Sequence, residues 1–557
     1  MKPDIRWQLL LASTGLLLVL MLLSYQVQSA ALCTVTVPAT GGTYIEGMVG
    51  RPNSLNPLLS DPYPVDREIN NLIFDGLVRY DEKGQLKPAL AKEWSVSEDG
   101  LTFTFTLEDG RTWHDGQPVT TADVAFTYGL MQKEDFPGPP SLISLWQSVT
   151  ITPIDQQQIA FTLAQPYAPF FEATTRGILP AHLLEDVPVS DLATHPFNQS
   201  PVGTGPFMVQ AGQDWTRTGR LRLSPNPASW RQGVQISDIE IRFFADADSL
   251  IAAFRNGEVH AVNGLSPTAI PQLAAETSAR IFTSIAPRYS ALFFNLSESG
   301  APALQSREVR QAIGFALDRE ALINSILNGQ GIRFEGPYLP DNWAARLDLM
   351  TTYNYQPETA GSLLDSIGWV GAGTRIREGV PLVLKFVVLD TPEQRAISEE
   401  IANQLSRIGI EAQITLVADA ASLREIMTER QFDMALVEVA PPNDPDLYDF
   451  WSQEAIVRGH NYSGWNNRRA SEALENGRQI LPQGERAAYY EAFLRQFDAD
   501  LPALTLYQHV DTYMLSDVVK GVEIGRVWEP RDRYQSLPAW FLNYRDVTVS
   551  CPQGEAN

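Results

Sequence analysis

The loop at residues 440–446, which reads APPNDPD, is the best candidate for a binding site in this sequence. The candidate contacts, counted from the end of the strand before the loop, are Glu438, Val439, Ala440, Pro441, Asn443 and Asp444.

A repeated pattern of strands and helices should hold this loop in place. Apolar strands are predicted at 380–389, 410–417 and 432–439, and amphipathic helices at 392–408 and 421–430. Short crossovers of this βαβαβ kind give parallel strands with right-handed connections. Because open α/β sheets bind ligands beyond the carboxyl ends of their strands, the loop after the third strand should lie at a binding crevice.

Residue patterns that are typical of enzymes are mostly absent from the sequence. It contains no His-Glu-x-x-His, no Gly-x-Ser-x-Gly, no P-loop and no closely spaced cysteine pair. Six histidines argue against a histidine-rich metal site, and no spacing singles out a glycosidase-like acid pair. We therefore expect no catalytic residues, no metal site and no cofactor, with a secreted hydrolase as a less favoured alternative.

Residues 91–128 form a unit whose local structure can be predicted. Between Leu101 and Leu107 every second side chain is apolar and threonines occupy the opposite face, which is typical of a half-buried strand. Acidic-glycine turn signals flank this strand, and a second short apolar stretch follows. Thr120 and Asp123 then have the spacing of a helix capping box. The unit is predicted to run strand, turn, strand, capped helix.

The same unit resembles the signature block of family 5 solute-binding proteins, the oligopeptide, dipeptide and nickel receptors of ABC importers. Further blocks keep the family's order over roughly residues 41–545. Within the unit, Trp113-His114-Asp115-Gly116 carries part of the resemblance. The further blocks are Ser54-Leu55-Asn56-Pro57, Phe74-Asp75-Gly76-Leu77, Gly203-Thr204-Gly205-Pro206-Phe207, Phe294-Asn295, Arg310-Gln311-Ala312 with Asp318-Arg319, and Tyr355-Gln356-Pro357-Glu358. Several ordered blocks are far more specific than any single one.

The resemblance implies an α/β fold of the two-lobed, class II periplasmic-binding-protein type, with a third lobe, mixed sheets and a hinge. The implied divisions are a signal peptide or membrane anchor at 1–32, a linker at 33–42, lobe I at 43–86 with 200–287 and 515–545, lobe II at 87–199, lobe III at 288–514, and a C-terminal tail at 546–557. The crossings between lobes I and III would form the hinge.

The function that the resemblance implies is solute capture outside the cytoplasm. A peptide or peptide-like solute would bind between lobes I and III and pass to an ABC permease driven by its ATPase subunits. The alternatives are a sugar or metal chelate as the ligand, or a membrane-anchored sensor without a transporter.

The candidate loop departs from the family's pattern. Peptide receptors of the family carry a motif similar to Trp-x-Ala-Asp-Tyr-x-Asp-Pro here, whose first Asp pairs with the amino terminus of the peptide. Ala440 and Asp444-Pro445 match this motif, but Pro441 replaces the first Asp. Either Glu438 or Asp444 takes over the counter-charge, or the ligand has no such group. Alternatively, Asp444 caps the turn before Pro445.

Three further residues are weaker candidates for ligand contacts. Arg288 and Tyr289 precede an apolar strand where related receptors place basic and aromatic contacts, although Tyr289 also suits a core or hinge position. Trp465 could stack on a ligand face, with a core position as the alternative for one of 12 tryptophans. His114 is expected to be a hydrogen-bonded structural histidine.

The N-terminus has the features of an export signal. Lys2 and Arg6 precede the uncharged run 9–23, and Ser29-Ala30-Ala31 offers small residues for cleavage. The uncharged stretch 7–32 is also long enough to cross a bilayer, so a retained membrane anchor is the alternative.

The two cysteines, Cys33 and Cys551, lie just outside the two ends of the family-like region. In an oxidising compartment they could form one disulfide that joins the termini, and two free thiols are the alternative.

Composition excludes one class of partner and agrees with a multi-lobed protein. A formal charge of −24 argues against nucleic-acid binding, which relies on clustered Lys and Arg. A chain of 557 residues with 44% hydrophobic content can bury more than one core.

Overall fold

The computed structural model describes residues 3–28, 32–60, 64–81, 83–138, 140–229, 233–267, 269–271, 273, 279–527 and 529–550. The strands are β1 (Leu32–Ala39), β2 (Thr43–Val49), β3 (Val78–Tyr80), β4 (Leu86–Pro88), β5 (Ala91–Val96), β6 (Thr102–Leu107), β7 (Val149–Pro153), β8 (Gln158–Leu163), β9 (Phe207–Val209), β10 (Arg220–Pro225), β11 (Asp238–Phe244), β12 (Ala261–Asn263), β13 (Ala279–Phe294), β14 (Gly331–Ile332), β15 (Ile376–Arg377), β16 (Val380–Pro381), β17 (Val383–Leu389), β18 (Glu411–Val417), β19 (Met434–Val439), β20 (Ala503–Ser516) and β21 (Asn543–Ser550).

The helices are α1 (Pro3–Gln28), α2 (Pro64–Ile73), α3 (Thr121–Leu130), α4 (Pro140–Gln147), α5 (Phe170–Ala173), α6 (Ala181–Leu184), α7 (Trp215–Thr218), α8 (Ala247–Arg255), α9 (Arg307–Ala316), α10 (Arg319–Ser325), α11 (Pro357–Ser366), α12 (Pro392–Ser406), α13 (Ala420–Glu429), α14 (Tyr448–Trp451), α15 (Ala455–Arg458), α16 (Arg468–Gln479) and α17 (Gln483–Asp500).

One large mixed sheet runs through most of the described chain. Its strand order is β18, β17, β19, β13, β20, β12, β2, β11, β10, β9, and β14 pairs with β20. The two longest strands, β13 and β20, are antiparallel neighbours. Their register shifts between Ile285 and Tyr289, where Pro287 lacks the N–H that a sheet hydrogen bond requires. The predicted crossing from lobe I to lobe III, at 287–288, falls on this irregularity.

The unit at 91–128 folds largely as its sequence predicts. β6 alternates buried and partly exposed residues, with Phe103 and Phe105 fully buried, and lies between β5 and β8 in an antiparallel sheet. Thr120 donates its backbone N–H to Asp123 at 2.9 Å in a capping box, and α3 begins at the next residue. The prediction of a second strand is wrong. The stretch around Trp113 lies between two tight glycine turns and forms only an isolated β-bridge.

The βαβαβ prediction is confirmed. β17 pairs in parallel with β18 and with β19, and α12 and α13 make the crossovers. Leu384 and Phe386 enter one hydrophobic core and Val387 enters another, so β17 is covered on both faces. The first strand begins later than predicted, because Val380 is exposed and pairs in the small β15–β16 hairpin.

The two ends of the described chain run side by side. β1 and β21 are antiparallel, with Leu32 opposite Ser550. The segments predicted as a loose linker and a tail thus include paired strands, which their alternating Thr and Val residues favour. Cys551 lies outside the described residues, so the disulfide with Cys33 stays a prediction.

In the part of the chain that the structure describes, no helix combines the length and the apolar character that a membrane crossing requires. The predicted cleavage residues Ser29-Ala30-Ala31 lie outside the described residues.

Candidate functional site

A cavity of about 1320 Å³ separates the loop 440–446 from two distant parts of the chain. Its walls come from segments within 57–74, 142–177 and 440–479, together with Arg531. These segments belong to the predicted lobes I, II and III, and we call the space the interlobe cavity. Pockets for drug-sized ligands span about 300–1,000 Å³, so this cavity has room for a larger solute.

The end of β19 brings the candidate loop to this cavity, as the strand order predicts. Ala440, Pro442, Asp444 and Asp446 line it. Of these, Pro442 and Asp446 were not among the predicted contacts. Pro441 is not among the described residues that line it.

Asp444 forms a two-pronged ion pair with Arg486 of α17. The guanidinium donates to its two carboxylate oxygens at 2.7 and 2.5 Å, and the side chains of Asp444 and Arg486 are only 12% and 6% exposed. Burial alone would lower the pKa of Arg486, but Asp444 outweighs that effect and the net shift is upward. The negative charge of Asp444 is therefore compensated by Arg486, and Asp444 does more than cap a turn.

Glu438 is also paired within the protein. It lies 3.4 Å from the Nε of Arg288 and 3.5 Å from the Nε2 of His509. Arg288 in turn donates to Asp511 at 2.9 Å and lines a second cavity of about 430 Å³. The charge of Asp444 is thus compensated by Arg486, whereas Glu438 and Asp511 share the single charge of Arg288, which lies at a cavity wall.

Three predicted contacts lie in the hydrophobic core of this structure. Tyr289, Val439 and Trp465 are at most 4% exposed and share one hydrophobic cluster. Tyr289 donates its hydroxyl to the carbonyl of Pro337 at 3.1 Å, and the Trp465 Nε1 donates to Asp500 at 2.8 Å. In the described chain, none of the three lines either cavity.

Arg478 joins the cavity wall of lobe II to that of lobe III. Its guanidinium stacks between the rings of Tyr167 and Tyr448, at 4.9 and 4.4 Å from their centroids, and donates to Asp446 at 2.7 Å. The Ala168 backbone N–H also donates to the Arg478 carbonyl at 2.8 Å. The contacts with Tyr167 and Ala168 join the two walls in this structure, while Tyr448 and Asp446 hold the guanidinium in place from within lobe III. We call the whole set the Arg478 clasp.

Glu172 of α5 is a cavity residue that the sequence did not reveal. The Asn443 amide donates to its Oε1 at 3.4 Å, which places the predicted contact Asn443 across from lobe II. Burial, followed by the negative charge of Asp444, raises the pKa of Glu172 to about 7, although Tyr80 counteracts the shift. Nothing in the local sequence distinguishes this glutamate, since its neighbours come from three distant segments.

The lobe I wall carries a paired arginine. Arg531 donates to Asp75 and to the side-chain oxygen of Asn71, and lies 3.4 Å from Glu529. Burial would lower the pKa of Arg531, but Asp75 and Glu529 outweigh it and raise that pKa. The positive charge of Arg531 on this wall is therefore compensated by the neighbouring carboxylates.

His114 is a structural histidine, as predicted. Its Nδ1 accepts from the Gly203 backbone N–H at 3.1 Å, and its Nε2 lies 3.0 Å from the Gly205 carbonyl. Burial lowers the pKa of His114. Within the described ranges, no group of three His, Cys, Asp or Glu side chains is arranged to hold a metal ion.

Sequence comparison finds relatives along most of the chain. It is 25% identical over 519 residues to the oligopeptide-binding protein AppA of Bacillus subtilis, covering 91% of this chain and 92% of the relative. It is 23% identical over 514 residues to the dipeptide-binding protein of Escherichia coli, covering 88% and 93% of the two chains.

Solved structures share the fold. The structure of AppA from Bacillus subtilis in complex with a nonapeptide matches with a TM-score of 0.73 at 24% identity, covering 91% of this chain and all of the other. NikZ from Campylobacter jejuni in complex with Ni(L-His) matches with a TM-score of 0.74 at 24% identity, covering 90% and 99%. The predicted α/β binding-protein fold is confirmed.

The model of the bacterial extracellular solute-binding proteins, family 5 middle region, matches residues 85–455, which is more than half of the chain. This match includes residues 91–128, the βαβαβ unit and the candidate loop at 440–446. The protein belongs to family 5 of the bacterial extracellular solute-binding proteins.

Proposed function

We propose that the protein captures a peptide or peptide-like solute in the interlobe cavity and delivers it to an ABC permease and its ATPase subunits. The observation that carries this proposal is the cavity itself, which is walled by all three predicted lobes and is larger than an ordinary small-molecule pocket. The relatives support the ligand class, since they include an oligopeptide-binding and a dipeptide-binding protein.

Capture would proceed by closure of lobe III onto lobes I and II about the crossings in β13 and β20. The stacking of Arg478 on Tyr167, the Ala168–Arg478 hydrogen bond and the Asn443–Glu172 contact would join the walls in the closed arrangement. A ligand drives closure only to the extent that it binds the closed state more tightly than the open one. Ligand contacts from both walls would provide this difference.

The first experiment is native mass spectrometry of the protein purified without refolding, with small-angle scattering before and after the bound solute is removed. We expect a co-purified mass that fits a peptide, and a larger radius of gyration once it is removed. A co-purified sugar or metal chelate would replace the proposed ligand class. An unchanged radius of gyration on binding would contradict capture by closure.

Delivery is tested in cells. Deleting the gene should abolish uptake of the solute identified by mass spectrometry, and restoring the gene should rescue it. Unchanged uptake in the deletion strain would contradict a role in import and would favour a sensor.

A further inference from the structure

Glu172 is a carboxyl group in the wall of the interlobe cavity whose hydrogen bonds are incomplete. Its Oε1 receives a long 3.4 Å contact from Asn443, and the Tyr80 hydroxyl and the Asp444 backbone N–H are the other donors near the carboxylate. Its Oε2 is shielded from water, yet it has no hydrogen-bond partner among the described residues. A shielded carboxylate oxygen without a donor is costly, so such an atom marks a place where a donor is missing.

The charges around Glu172 indicate which kind of donor fits. The titratable groups that act on it are Tyr80, Asp444 and Glu529, and both carboxylates repel a negative charge at this position. The arginines that neighbour these carboxylates already have ion-pair partners: Arg486 pairs with Asp444, and Arg531 pairs with Asp75 and Glu529. The carboxylates nearest to Glu172 therefore favour a positively charged group beside it over a neutral donor.

We propose that Glu172 is a specificity-determining contact that pairs with an amine of the solute, so that the ligand is a cationic peptide-like molecule. This inference rests on the proposed function, because it assigns the chemistry of the solute in the same cavity. It also places the counter-charge on lobe II, across the cavity from the loop in which Pro441 stands.

A purely structural role predicts something different. If Glu172 served only to hold Asn443, a glutamine in its place would keep that contact, because Gln retains the side-chain oxygen and the shape of a protonated glutamate. An amine, in contrast, needs the negative charge. The isosteric substitution Glu172→Gln therefore separates the two roles.

Proton linkage provides a second readout. The carboxyl group, whose pKa is about 7, is mostly protonated at pH 6 and mostly ionised at pH 8, and an amine must displace the proton to pair with it. Affinity for the lysine probe, whose ammonium stays protonated, should thus rise by about tenfold from pH 6 to pH 8, with release of about half a proton per ligand at pH 7. For tetraalanine the rise should be only about fourfold, because its α-amino group loses its proton near pH 8. Both effects should disappear in Glu172→Gln.

The experiment is calorimetric titration of ligand-stripped protein with three probes of equal length. These are tetraalanine, N-acetyl-tetraalanine, and the N-acetylated peptide in which one alanine is lysine. Titration at pH 7 in two buffers of different ionisation enthalpy counts the protons released. The matched control is Glu185→Gln, because Glu185 is an exposed glutamate of lobe II that does not line the cavity in the described chain.

We expect at least one cationic probe to bind tenfold or more tightly than N-acetyl-tetraalanine. The probe that does so shows whether the amine comes from the peptide terminus or from a side chain. Glu172→Gln should lower the affinity for that probe about 10- to 100-fold, as the loss of a charge-assisted hydrogen bond does. Glu185→Gln should leave this affinity unchanged.

Two outcomes would overturn the inference while leaving the proposed function intact: N-acetyl-tetraalanine binding as tightly as the cationic probes, or Glu172→Gln retaining full affinity and its pH dependence. Failure of all three probes to bind would overturn the proposed peptide ligand together with the inference. Far-ultraviolet circular dichroism of each variant verifies that it is folded.

Discussion

Replacing Asp444 by asparagine separates a structural from a ligand-binding role for the candidate loop. The substitution removes the negative charge that faces Arg486 and replaces one acceptor oxygen by a donor. Two charge-assisted hydrogen bonds, at 2.7 and 2.5 Å, are reduced to one weaker bond. Charge-assisted hydrogen bonds contribute about 1.5–3 kcal/mol each, and breaking one side of a buried pair costs about 3–5 kcal/mol. Because Asp444 keeps 12% exposure, we expect the lower end, about 3 kcal/mol.

The assay is urea denaturation of ligand-free protein, followed by titration with the co-purified solute. The matched control is Asp348→Asn, whose carboxylate pairs with Arg346 at 2.8 Å but is 63% exposed, so that its loss should change stability by less than about 1 kcal/mol. For Asp444→Asn we expect lower stability and an affinity within threefold of the parent. Unchanged stability with lost affinity would refute the assignment of Asp444 to the protein's own ion pair.

Three further changes test other parts of the structure. Gly203→Ala should destabilise the protein by about 2–3 kcal/mol, because the new Cβ would lie 2.0 Å from the Ile73 carbonyl oxygen, whereas Gly129→Ala, with open space around it, should be neutral or slightly stabilising in urea denaturation. Trp465→Ala should lower the free energy of unfolding by about 3–5 kcal/mol with ligand affinity unchanged, and a selective loss of affinity would return this residue to the binding site. Alkylation without reductant, followed by mass spectrometry, should leave Cys33 and Cys551 unmodified if they form the predicted disulfide, and labelling of both would disprove it.

Local patterns in the sequence predicted the elements that depend on neighbours within a few residues. The alternation in β6, the capping box of α3 and the strands and helices around 383–439 all follow from periodicity and end signals that one segment contains. The location of the loop also followed, because parallel strands place their carboxyl ends together.

The partners of the loop could not be predicted in the same way. Asp444 meets Arg486 on a helix 42 residues later, and Asn443 meets Glu172 across 271 residues of sequence. The sequence favoured a core position for Trp465 over a ligand contact, but its packing partners Trp451 and Phe497 could not be named from local patterns. Such pairings depend on how the lobes meet, which no local pattern specifies.

The Arg478 clasp has a consequence for the rate at which a solute leaves. Its stacked rings, ion pair and backbone hydrogen bond join protein to protein, so they contribute equally whatever solute the cavity contains. Contacts of this kind cannot discriminate between solutes, but the two that cross between the lobes, the stacking on Tyr167 and the hydrogen bond from Ala168, must break each time the walls separate. They would lengthen the residence time of every ligand alike and leave selection to the groups that face the cavity. Retention and recognition are thereby assigned to different residues of the same cleft.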